Sequence, residues 1–172
     1  GRKVTKANCA DIAEFLKKIE ELGWNPVLER EFKETLCTKI DLKTSVDQFE
    51  SYRDLKSGID LAISIGGDGT FIKCVSYVRD SQVPIMGINM GRLGFLANTS
   101  KEQMPIALDM IQQKKFTFQK RSLIRIETEN NIFGEDNVAL NEVTLQKKDT
   151  SSMITVHASL DGNYLNSYWA DG

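Results

Sequence analysis

The sequence predicts an α/β fold with a parallel sheet, followed by a partial antiparallel β domain. Three observations predict it. Residues 59–65 and 83–88 are near-continuous apolar runs, as expected of strands buried on both faces. Each is followed by apolar residues at helical spacing, so strands and helices alternate. After residue 115 the period switches to two and no helical pattern follows.

Asn8 reads as an N-cap, with Asp11 near the positive end of the helix. Ile12, Phe15, Leu16, Ile19 and Leu22 follow at helical spacing, and Gly23 reads as a left-handed stop. Residues 24–28, interrupted by Pro26, read as a short strand. Residues 29–58 are polar and mixed, and read as loop with room for one short helix. The first apolar run ends in Gly66-Gly67-Asp68-Gly69-Thr70. Phe71, Ile72, Val75 and Val78 then fall on one side of a helix. The second run is entered through Pro84, and Gly87, Gly91 and Gly94 punctuate the turn after it. Ser100 and Glu102 open another helix through Lys115, with Ile106, Leu108 and Ile111 as its core side.

Period-two stretches then cover residues 116–118, 123–128, 143–146 and 154–156. Asn130-Asn131 and Asp161-Gly162 read as hairpin turns. The domain boundary is expected near residue 117, giving an α/β domain over 1–117 and a partial β domain over 118–172.

Composition narrows the function. Of the 172 residues 41% are hydrophobic, enough for a packed core. Lys plus Arg is 22 and Asp plus Glu 24, a net charge of −2, so bulk-charge binding to nucleic acid is not expected. No apolar run approaches the roughly 18 residues of a membrane span, and no signal peptide is read. Cys9, Cys37 and Cys74 cannot all pair and show no C-x-x-C spacing, which favours a reducing, cytoplasmic setting. His157 is the one histidine, which excludes multi-histidine metal sites and argues against a Ser-His-Asp triad.

The glycine turn carries the chemistry. It lies at the carboxyl end of a buried strand and opens a helix, where parallel α/β sheets bind ligands. Gly66, Gly67 and Gly69 let backbone amides approach phosphate oxygens with no Cβ in the way. The helix N-terminus favours an anion. Asp68 is the exception, since a carboxylate there repels phosphate unless it has another task. Two tasks suit it: holding a divalent metal, or taking a proton from an attacking hydroxyl. Both suggest phosphoryl transfer. The plain alternative is a turn whose Asp68 caps the helix. The segment is neither a Walker loop nor G-x-G-x-x-G.

Gly66-Gly67-Asp68-Gly69-Thr70 resembles the signature of a kinase superfamily holding NAD kinases, diacylglycerol-type lipid kinases and 6-phosphofructokinases. Three further segments separate these. Gly87-Ile88-Asn89-Met90-Gly91-Arg92-Leu93-Gly94-Phe95-Leu96 is similar to the G-x-N-x-G-x-L-G-F-L segment of NAD kinases. Asn141-Glu142-Val143 resembles their Asn-Glu motif, and Ala170-Asp171-Gly172 the opening of their second glycine-rich segment. All stand in the family's order, over essentially the whole chain.

The resemblance implies an N-terminal α/β domain, a C-terminal β domain and an active-site cleft between them. It implies phosphorylation of the adenosine ribose 2′-hydroxyl of NAD, giving NADP, by ATP or another phosphoryl donor. A divalent metal, Mg first, and a homodimer or homotetramer come with it. Asp68 would be the general base. Gly66, Gly67 and Gly69 would line the phosphate path and Thr70 would donate a hydroxyl. Ile72, where the family often has Leu, would line the NAD pocket, and Phe95 would wall the adenine. Asn141 and Glu142 would grip the ribose of the nicotinamide half, and Asp171 the nicotinamide end, from its own or a neighbouring subunit.

The family continues past this motif with a Ser/Thr/Gly-rich stretch and begins with a short strand of which Gly1-Arg2 would be the remnant. The chain is therefore expected to be a fragment with little or no kinase activity alone. Two rivals remain open at this point: another kinase of the superfamily, on a lipid or sugar phosphate, and a non-catalytic NAD- or ATP-binding module. No basic amphipathic helix stands out for a lipid surface, and no arginines cluster for a second phosphate. Retention of Asp68 speaks against a mere binding module. His157 is read as a sheet residue. Lys114-Lys115, Lys120-Arg121 and Lys147-Lys148 are read as solvated faces, and Trp169 as packing on a subunit or a ligand.

Overall fold

The computed structural model describes residues 6–40, 46–55, 58–91, 94–148 and 152–172. Gly1-Arg2, and Arg92-Leu93 of the glycine-rich segment, lie outside the described residues. The chain divides into two compact units, Gly1–Ser122 and Leu123–Gly172.

In the first unit, helix α1 spans Lys6–Glu21. Its stripe of Ile12, Phe15, Leu16 and Ile19 is buried as expected, each side chain contributing about 1.5–3 kcal/mol of apolar burial. Asn8 does not cap this helix: it lies within it and is buried. Gly23, at φ 72°, ends the helix. The Trp24 amide reaches the Ile19 carbonyl at 3.1 Å and the Gly23 amide the Glu20 carbonyl at 2.9 Å, the two bonds of a Schellman stop.

The expected strand at 24–28 forms later, as β1 (Val27–Glu29). The supposed loop that follows holds more structure than its composition suggests. It contains α2 (Arg30–Cys37), β2 (Asp47–Phe49) and a 3₁₀ turn at Tyr52–Leu55. β2 pairs in parallel with β1. The Glu29 carboxylate caps α2 by accepting from the Phe32 amide, and Phe32 and Leu36, four apart, are buried.

β3 (Ala62–Gly66), β4 (Ile85–Asn89) and β5 (Thr99–Ser100) form a parallel sheet in that order. Ser64 stands opposite Gly87 and Gly66 opposite Asn89, so β3 and β4 finish side by side. Helix α3 (Asp68–Val78) connects them. It buries Val75 and Val78, but Ile72 is 48% exposed and does not join the core side. After β5, Ser100 and Gln103 form a capping box over a 3₁₀ turn. Helix α4 (Met104–Gln112) follows, ending before Lys115. Met104 and Leu108 are its buried residues, while Ile106 is 61% exposed. The stripe of α4 thus runs through Leu108, as expected, and through Met104 one turn earlier, while Ile106 faces outward. α1 is tied to α4 by Lys18–Asp109 at 3.1 Å and to the preceding 3₁₀ turn by Lys101–Asp11 at 3.3 Å.

One cluster joins α1, β1, α2, β3, β4 and α4 through Ile12, Leu28, Leu36, Ile65, Ile88 and Leu108 among others. Every buried hydrophobic residue of the described chain lies at or before Leu108.

The second unit is antiparallel. β6 (Ile124–Arg125) pairs with β7 (Val138–Ala139), and β8 (Ile154–Leu160) with β9 (Asn163–Ala170). Asp161 (φ 50°) and Gly162 (φ 79°) make the two-residue turn between the last two, as the dipeptide predicts. His157 is a sheet residue opposite Ser167. Residues 116–118 and 143–146 alternate in sequence yet are not strands. Alternation states which face a strand would bury. It does not supply the neighbour whose backbone must complete the ladder. Among the described residues no helix is long and apolar enough to cross a membrane.

Candidate functional site

The glycine turn sits where β3 becomes α3. β3 runs to Gly66, Gly67 is the extended N-cap, and Asp68 opens the helix. The Thr70 and Phe71 amides both close on the Gly67 carbonyl, at 2.9 and 3.1 Å. Gly66 lies at φ 155°, and a Cβ on it would stand 2.8 Å from the Thr70 Cβ. No larger residue fits there without moving the helix. Thr70 is buried beneath the turn, while Gly67 and Gly69 are exposed. Their exposed backbone at a helix N-terminus suits an anion.

Asp68 is not a loose acid in this turn. Its Oδ2 accepts from the Phe95 amide at 2.8 Å, and its Oδ1 from the Leu96 and Ala97 amides, both at 3.0 Å. These bonds, Ala97 and Phe95 foremost, hold the carboxyl below the usual carboxylate range against an opposing desolvation. Asp68 is therefore ionised at neutral pH. Gly94 lies so close that a Cβ on it would run into this carboxylate, 2.5 Å from Cγ.

A second residue ties down the same segment. Asn89, buried at the end of β4, accepts from the Gly91 amide at 2.8 Å and donates to the Ala97 carbonyl at 3.4 Å. The motif resemblance includes Asn89 but implies no task for it. The signal was there: a buried amide side chain at a strand end has to find backbone partners. Phe95, carried on this segment, is 96% exposed, and Leu96 beside it is partly buried. Unit one thus brings Asp68, Gly66, Gly67, Gly69, Thr70 and the Phe95 turn together, with Ile72 exposed one helical turn along α3.

Asn141, Glu142 and Asp171 belong to the second unit. Asn141 and Glu142 are exposed just after β7. Asp171 follows β9, and its Oδ1 pairs with Lys147 Nζ at 2.5 Å while its carbonyl accepts from the Lys147 amide at 2.9 Å. The Lys147 side chain is only 20% exposed, so it is not the solvated residue its sequence suggests. Among the described residues, no three His, Cys, Asp or Glu side chains gather as a metal cage.

Residues 10–116 match the ATP-NAD kinase N-terminal domain family. The chain is 43% identical to the NAD kinase of Flavobacterium psychrophilum over 163 residues, covering 94% of this chain and 55% of that one. It is 38% identical to the NAD kinase of Bacteroides fragilis, covering 93% and 54%. The chain spans about half the length of the curated relatives it matches. Among solved structures, an NAD kinase from Archaeoglobus fulgidus in complex with ATP aligns at TM-score 0.59 and 25% identity, covering 84% of this chain and 57% of that one. Yeast NADH kinase complexed with NADH aligns at TM-score 0.74 over 99% of this chain and 53% of the other; at 16% identity it speaks for the fold. Matched over more than half its length, the chain belongs to the ATP-NAD kinase family.

Proposed function

We propose that the protein carrying this chain transfers the γ-phosphoryl group of ATP to the 2′-hydroxyl of NAD's adenosine ribose, giving NADP. The observation that carries the reading is Asp68: an ionised carboxylate at the carboxyl end of a buried strand, inside a glycine turn. Family membership supplies the substrates.

The residues divide the work as follows. The Gly67 and Gly69 backbone and the N-terminus of α3 receive phosphate charge. Thr70 shapes the turn from below, besides the phosphate contact the resemblance implies. A carboxylate has about four lone-pair sites, and the amides of residues 95–97 occupy three of those on Asp68. The remaining site, on Oδ2, is the one for the ribose hydroxyl. An acid held this low is a weak base. Phosphoryl transfer tolerates that, because its transition state is loose and aim matters more than early proton removal. Asp68 thus points the hydroxyl and takes its proton late. Phe95 and Ile72 offer apolar surface to the adenosine side, and Asn141, Glu142 and Asp171 take the nicotinamide half.

A divalent cation, Mg first, belongs to this reading by neutralising the donor's phosphates. The residues described do not fit a protein-held centre, because the Asp68 lone pairs are largely engaged. The cation's place is on the nucleotide, where Mg commonly keeps several waters. A homodimer or homotetramer in the cytoplasm completes the proposal, and light scattering would read the assembly.

The test offers γ-labelled ATP with NAD, a diacylglycerol or fructose 6-phosphate in separate reactions. Label recovered in NADP alone supports the reading. Label on lipid or sugar instead, or NAD binding with no transfer, overturns it.

A further inference from the structure

We infer that Asp68 is also a positioning residue: its carboxylate, fitted against Gly94, latches the Phe95–Ala97 turn to the N-terminus of α3 and so sets where Phe95 stands. The three amides it binds lie 27, 28 and 29 residues away in sequence. Successive amides converging on one carboxylate form a concave backbone nest around it. The Phe95 and Leu96 amides both donate to Asp68, whereas Asn89 binds at Gly91 and at the Ala97 carbonyl.

Gly94 is the other half of the latch. Any side chain there would occupy the carboxylate's place, since an added Cβ would lie 2.6 Å from Oδ2. The contact with Asp68 alone is enough to require glycine at this position. Phe95, almost fully exposed, has no packing of its own to fix it. Its position is inherited from the backbone, and the backbone here is held by Asp68. Loss of the carboxylate would then affect the NAD site before any chemistry begins. The latch stands on geometry alone; its link to NAD rests on the function proposed above.

Two variants separate the roles. Asp68→Asn removes the charge and turns an NH₂ toward the amides. Gly94→Ala keeps the acid and its charge but pushes it out of the nest. Amide exchange is followed at Phe95, Leu96 and Ala97, with α1 amides as the control for intact folding. Both variants should speed exchange at these three positions about tenfold or more, as expected when charged-acceptor bonds are lost, with α1 unchanged. Gly94→Ala should also weaken NAD binding about tenfold or more although Asp68 is present. Unchanged exchange in both variants overturns the latch. Faster exchange with unchanged NAD affinity overturns its role in positioning the pocket. If the parent protein binds no NAD, the proposed function fails, and the exchange data still decide the latch.

Discussion

Asp68 has three of its four lone-pair sites filled by backbone, and the consequence is readable in acid. Its pKa is depressed, so the contribution of these bonds is fully present above the ordinary carboxylate value of about 3.9 and is lost as pH falls through the lower folded value. Amide protection at residues 95–97 should therefore persist at pH 5 and disappear only below the ordinary carboxylate range. Loss of protection already between pH 7 and 5 would show that some other group holds the turn. Thiols give a second check at this scale. Burial pushes Cys74 up to about 11, whereas Cys37 is exposed. At pH 8 an alkylating reagent should modify Cys37 first and Cys74 last; the reverse order would contradict the packing of α3. Asp68 was legible in the sequence because a carboxylate in a phosphate turn demands a reason. Its partners were not, because a contact 27 residues away is set by how β4 ends, which no local pattern reports.

At the scale of elements, α1, β3, α3 and β4 were legible because each has a long apolar signal and a stop. α2 and β2 were not. α2 offers only Phe32 and Leu36 and is capped by Glu29, not by the usual Ser, Thr, Asp or Asn. β2 has three residues, too few for a period. Glu29 links these hidden elements to α3: besides its cap on Phe32, it binds Lys73 Nζ at 3.1 Å and the Tyr77 hydroxyl at 3.4 Å. Burial opposes the charge on Lys73, yet its bonds to Tyr77 and Glu29 hold its pKa above the usual lysine range. Glu29→Ala should lower stability by about 1–3 kcal/mol, through the lost cap and the loss of the less exposed carboxylate partner of Lys73. Glu31→Ala, an exposed partner of the same lysine, should cost no more than about 0.5 kcal/mol. Urea midpoints at unchanged slope measure both, and equal effects would contradict the assigned roles.

Across the whole molecule the core is uneven. All buried hydrophobic residues of the described chain belong to the first unit, while the second exposes Tyr164, Leu165, Tyr168 and Trp169 along β9. Leu108→Ala, at a fully buried position, should cost about 2–5 kcal/mol. Amides of β3 and β4 should exchange more slowly than those of the β8–β9 hairpin; equal protection would place a hidden core in the second unit. The order of the motifs along the chain was enough to point to the family, and residues 10–116 carry the match. The chemistry reduces to one acid in one turn. The most direct measurement is NADP formation by the protein carrying this chain and by its Asp68→Asn variant, at saturating ATP and NAD. Turnover of the variant should fall by at least about a hundredfold. NADP formation that survives the substitution nearly intact would contradict the role given to Asp68.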